Sequence, residues 1–135
     1  MKSAVTQEDE FGCGIACVAF LLNIGYAEAA KQFEPEKARS LGFICRELTS
    51  VLNNNDQKYY YRYLKTRFLQ RIYKEGTIVF IKKSERYPAG HYLVRANGCW
   101  MDPWLNYRIE ADISKAISGY RRRLPGKPIY ALFKK

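Results

Sequence analysis

Residues 13–22, "CGIACVAFLL", carry no charged side chain on any face. At about 3.6 residues per turn, a helix of this composition has no side to offer to water and must be covered all round. A chain of 135 residues is long enough to do this by wrapping its other elements around that segment. The pattern predicts a helix over 13–24, preceded by Gly12 and the acidic run Glu8, Asp9, Glu10, and stopped by Gly25. The stretch is too short to cross a bilayer, and Asn23 interrupts it. Acidic residues precede it where a secretion signal would be basic.

The remaining elements follow from periodicity. "YAEAAKQF" (26–33) predicts a second helix that ends before Pro35. "GFICRELTSVLNNN" (42–55) predicts a third, with Ile44, Leu48, Val51 and Leu52 on one face. The period then shortens. "KYYYRYL" (58–64), "TIVFIKK" (77–83), "GHYLVRA" (90–96), "CWMD" (99–102) and "PIYALFKK" (128–135) read as strands. Asn97-Gly98 marks a hairpin turn between the third and fourth of these. "KTRFLQRIYKEG" and "ADISKAISGY" (111–120) read as short helices. Helices come first, over about 1–56, and strands follow over about 57–135. That order predicts one α+β domain with segregated layers and an antiparallel sheet.

Charge and cysteines narrow the chemistry. The net charge is +10, from 23 basic and 13 acidic residues. Basic residues alternate with aromatics in "YYYRYLKTRFLQRIYK" (59–74) and "SGYRRRLPGKP" (118–128). Such runs occur in single-strand nucleic-acid binders, but a solvated face with snorkelling side chains explains them more simply. Nucleic acid is therefore not the expected partner, and a non-enzymatic basic binding module stays as an alternative. With no export signal, four cysteines read as free thiols in a reducing, cytoplasmic compartment. A zinc site is not expected, because Cys13 and Cys17 supply two donors at most and no second histidine exists. No phosphate-binding glycine loop occurs, and no cofactor is expected.

One histidine, His91, is available to any mechanism that needs an imidazole. It follows Gly90 at the start of a predicted strand. Asp102 falls at the end of the returning strand, so the Asn97-Gly98 hairpin brings the two to one open end. A carboxylate there accepts from one ring nitrogen and fixes the tautomer. Trp100 and Trp104 flank Asp102 and are candidates to shield the pair from water. For a nucleophile, helix position separates two cysteines. Cys13 stands at the helix N-terminus, where free N–H groups favour a thiolate, and Cys17 stands a turn inside, where it packs. Gln7 can add a side-chain N–H to the Cys13 backbone N–H as an oxyanion hole.

The ordered set Gln7, Cys13-Gly14, His91 and Asp102-Pro103 resembles the double-glycine leader peptidases. These are papain-like cysteine peptidases that mature bacteriocin and pheromone precursors, usually as the N-terminal domain of an exporter. The resemblance covers most of the chain. It implies a papain-like α+β fold, a Cys13–His91–Asp102 triad, Gln7 as oxyanion donor and a peptide or protein substrate. The family usually has an acidic residue before the nucleophile, where Gly12 stands here. No membrane-spanning or ATP-binding portion occurs within residues 1–135, so the expectation is a peptidase separate from an exporter. Related papain-fold domains act as toxins or effectors on a target-cell protein, by proteolysis, deamidation or acyl transfer. In that alternative the chain is delivered to another cell, and the basic face receives an acidic immunity or regulatory protein.

Overall fold

The structure, a computed structural model, describes residues 2–135. Four helices come first: α1 (Cys13–Leu22), α2 (Tyr26–Ala30), α3 (Pro35–Ser40) and α4 (Cys45–Asn54). Six strands follow: β1 (Tyr59–Tyr63), β2 (Ile78–Ile81), β3 (His91–Ala96), β4 (Cys99–Asp102), β5 (Gly119–Arg121) and β6 (Pro128–Lys134). They form one sheet in the order β1-β6-β2-β3-β4-β5, and every neighbouring pair is antiparallel. The class is α+β, with helices on one face of an antiparallel sheet.

Register explains why α1 ends up buried. Leu132 pairs with Ile78, Ile78 with Val94, and Val94 with Met101. This row of four fully buried side chains packs with Ile15, Ala16, Val18 and Ala19 of α1 in one core cluster. Leu48 and Leu52 of α4 close the same cluster. The alternate residues Val79, Leu93, Trp100 and Ala131 face a second cluster, closed by Leu64, Phe68 and Ile72 from the stretch before β2. Both faces of the central strands are thus covered, which is why "IVFI" reads as an unbroken apolar run.

Several boundaries differ from the sequence expectation. The first helix stops at Leu22, because Asn23 takes the left-handed conformation at φ 60° and Ile24 N–H reaches back to Ala19 O at 3.1 Å. Gly25 instead precedes α2 as its N-cap. The second helix is regular only to Ala30, and the third begins at Cys45. Helix α3 was not expected, since Pro35 reads as a stop; it occupies the first turn, where its missing N–H costs nothing. The stretch 65–76 makes a 3-10 segment, Thr66–Tyr73. The helix expected over 111–120 is one 3-10 turn, Ile113–Lys115, followed by β5. Strand β5 forms because the backbone of buried Met101 and Asp102 needs a ladder partner. The Asn97-Gly98 turn is as expected, with both residues at positive φ.

Candidate active site

Cys13 is the first residue of α1 and is partly exposed. No side chain caps this helix, so the first backbone N–H groups, that of Cys13 among them, lack an intrahelical acceptor. Cys17, one turn down, is fully buried, and that burial, with smaller contributions from Cys13 and Asp102, pushes its thiol well above the usual range. Such a thiol packs and does not react.

The turn before α1 is held from both sides. Phe11 N–H donates to Ala38 O at 2.9 Å, and Gly12 N–H to Asp9 O at 3.0 Å. The Tyr26 hydroxyl donates to Asp9 Oδ2 at 2.7 Å. A Cβ at Gly12 would lie 1.9 Å from that hydroxyl and 3.2 Å from Asp9 O. Position 12 therefore has no room for a side chain while the Tyr26 hydroxyl stays on Asp9. Gly12→Ala is expected to expel the Tyr26 hydroxyl from Asp9 and lower stability by about 1–3 kcal/mol, measurable as a reduced midpoint in urea.

Gln7 reaches the same region. Its backbone N–H donates to Pro103 O at 3.2 Å, which ties it to the turn after Asp102. Its side-chain Nε2 donates to Asp9 O at 3.0 Å and Glu10 O at 3.2 Å, while Oε1 is buried without a hydrogen-bond partner. The amide that the sequence assigns to an oxyanion is thus engaged in shaping the turn that leads into α1.

His91 opens β3 and Asp102 closes β4. Nε2 of the ring lies 2.7 Å from Asp102 Oδ1. The same oxygen accepts the Trp104 backbone N–H at 3.0 Å, and Oδ2 accepts from Nη1 of Arg121 at 3.0 Å. Burial works against both charges. For His91 the Asp102 carboxylate outweighs it, with a smaller contribution from Cys13, and the imidazole pKa is pushed up to about 10. For Asp102, His91 and the donors from Trp104 and Arg121 outweigh burial and hold the carboxyl below its usual range. With Nε2 occupied by Asp102, Nδ1 is the nitrogen left for Cys13. Gly90, at φ +77°, lets the chain enter β3 under Phe80, whose ring would lie 2.1 Å from any Cβ there.

The ring that lies flat on His91 belongs to Tyr87, with centroids 4.7 Å apart and planes 7° from parallel. Tyr107 stacks on Tyr87 at 5.5 Å and packs against Trp104 at 4.6 Å. Trp104 is buried within this aromatic stack. Trp100 sits elsewhere, among the second core cluster, with Tyr73 at 6.0 Å and the Arg95 guanidinium at 5.1 Å. No motif marks Tyr87; only its place four residues before the lone histidine hints at it.

Gln7, Cys13, His91 and Trp104 share the wall of a cavity of about 580 Å³. Phe43, Phe80 and Tyr92 make it apolar, and exposed Leu41 and Ile44 extend its rim. None of residues 59–74 lines it, so the basic-aromatic run belongs to another surface. Among the described residues, no group of side chains has the arrangement of a metal site, and no helix is long and apolar enough to cross a membrane.

Neither a protein-family profile nor a curated protein sequence matches the chain. Solved structures do. The peptidase domain of Streptococcus ComA, a bifunctional ABC transporter of a quorum-sensing pathway, superimposes with a TM-score of 0.61 over 99% of this chain and 98% of that one, at 16% identity. A double-glycine motif protease from an AMS/PCAT transporter, solved in complex with a leader peptide, gives 0.54 over 98% and 89%, at 14% identity. The antiparallel sheet, the buried helix α1 and superposition along nearly the whole chain give this protein the α+β papain-like fold of those two domains.

Proposed function

We propose that the chain is a cysteine peptidase in which Cys13 is the nucleophile, His91 the general base and acid, and Asp102 the group that orients His91. One observation carries this reading: a buried His91–Asp102 pair at 2.7 Å shares a cavity with a cysteine at an uncapped helix N-terminus. The peptide-bond carbonyl carbon is attacked by the Cys13 sulfur, whose proton resides on His91 Nδ1. The carbonyl electrons move to oxygen, where the Cys13 backbone N–H donates. Gln7 joins as a second donor by exchanging one of its two bonds to the turn for the oxyanion. Collapse breaks the C–N bond, and His91 gives its proton to the departing amine. His91 then takes a proton from water, the hydroxide adds to the thioester, and the acid leaves with the Cys13 thiolate restored.

The substrate in this reading is a peptide with small residues before the cut. A leader peptide is bound by one protein of the same fold, and a largely apolar cavity of about 580 Å³ has Cys13 in its wall. The test is to incubate the protein with peptides containing an internal Gly-Gly and weigh the products. Cleavage after the second glycine by wild type, absent with Cys13→Ala, is expected. Cleavage that survives Cys13→Ala, or a deamidated but uncut peptide, overturns it.

A further inference from the structure

Strand β5 carries a residue that the triad description leaves out. We infer that Arg121 is a positioning residue for the His91–Asp102 pair: it holds one carboxylate oxygen of Asp102 so that the other stays on the imidazole. The inference rests on the proposed role of His91 and Asp102, and extends it to a residue outside the triad.

The geometry is specific. Asp102 lies opposite Gly119 and Trp100 lies opposite Arg121. Trp100 and Asp102 are two apart on β4, so Arg121 shares a sheet face with Asp102 as its diagonal neighbour. That separation is about 7–8 Å between backbones, which only a long side chain spans. Arg121 spans it, with Nη1 3.0 Å from Oδ2, and its Nε donates to Arg123 O at 3.0 Å. The guanidinium is therefore tied at both ends. On the other oxygen, Oδ1 receives His91 Nε2 and the Trp104 N–H. A fully buried carboxylate with one oxygen unpartnered turns toward whatever donor it finds. Arg121 removes that freedom.

Other charged or titratable groups face the pair from the surrounding elements. Cys13 and Cys17 approach from α1. Tyr87 lies on His91 from the loop before β3, with the Arg86 guanidinium 5.3 Å from the Tyr87 ring. None of these is bonded to Asp102 Oδ2, so Arg121 alone fixes that oxygen among the described residues.

His91 is the one histidine in the chain, so its ring signals in an NMR titration need no assignment by mutation and no peptide substrate. The titration is run on wild type, Arg121→Gln and Arg121→Lys, with near-ultraviolet circular dichroism to verify the fold. Positioning predicts that the His91 midpoint falls in Arg121→Gln by about one unit or more, a tenfold loss of proton affinity. Arg121→Lys keeps the charge but not the fork and should fall part of the way. Turnover of a cleaved peptide should fall by about 10²-fold in Arg121→Gln with KM little changed, as for a misplaced catalytic group. If Arg121→Gln does not fold, the Lys variant decides alone. An unchanged midpoint overturns the inference. A raised midpoint also overturns it, because it means Arg121 merely shared the carboxylate charge. Should wild type cleave no peptide, the titration still reads the positioning, so the two failures are distinguishable.

Discussion

Cys13→Ala is expected to lose peptide cleavage by about 10⁴-fold or more while remaining folded. Nothing else in the cavity replaces the sulfur. Cys17 lies inside the helix and its thiol is held well above the usual range by burial. Cys45 is likewise pushed up by burial, although the Tyr92 hydroxyl beside it acts the other way. Alanine is a good helix former, and Cys13 is partly exposed, so stability should change by about 1 kcal/mol at most. Cys17→Ala should show the converse. It leaves a gap in the cluster of Ile15, Val18 and Leu48 and costs about 1–2 kcal/mol, with turnover retained. Side-by-side steady-state kinetics and urea denaturation of the two variants separate the roles.

Asp102→Asn is expected to move the alkaline limit of activity. In wild type His91 stays protonated until about pH 10, chiefly because the Asp102 carboxylate outweighs its burial. Asparagine keeps the shape but removes the charge, so the limit should fall toward the ordinary histidine value of about 6.5. Turnover at neutral pH should drop by about 10²–10⁴-fold, since the imidazole is then neutral and its tautomer is no longer fixed. Stability follows the same groups. An imidazole raised above its unfolded value stabilises fully below about pH 6.5. That contribution declines above this and is gone once pH passes about 10. The depressed Asp102 contributes above its ordinary carboxyl range and loses that contribution as pH falls through its folded value. Wild type should therefore gain most from the pair between about pH 4 and 6.5. The variant also leaves Arg121 facing an amide in a buried site, which should cost about 3 kcal/mol at neutral pH. A pH–rate profile and denaturation at three pH values check both effects.

Much of this site was legible in the sequence because its parts obey local rules. An uncharged ten-residue helix has to be central, and its first residue has to stand at its mouth. The Asn97-Gly98 turn sets the register of β3 and β4, which puts Asp102 diagonally across from His91 on the same face, within reach of its ring. What was not legible depends on contacts between distant residues. Gly12 becomes intelligible only once the Tyr26 hydroxyl is seen in its place. Tyr87 lies in a loop whose path onto His91 has no periodic signature. Arg121 was hidden because it reads as one more charge in the basic run 118–128, after a stretch with the composition of a helix, and β5 forms only when β4 offers it a ladder. The amide of Gln7 illustrates the same limit. Its position near the nucleophile follows from spacing, but its bonds to Asp9 O and Glu10 O follow from a turn that spacing does not describe.

The peptidase reading makes its most direct demand on one atom, the Cys13 sulfur. A short peptide ending in Gly-Gly and a thiol-directed electrophile should acylate or alkylate that sulfur. Proteolytic digestion and mass spectrometry then locate the adduct among the four cysteines. The predicted result is stoichiometric labelling of Cys13 alone, strongly slowed in His91→Ala. Labelling at Cys17, Cys45 or Cys99 in its place, or labelling of Cys13 that is indifferent to His91, would contradict it.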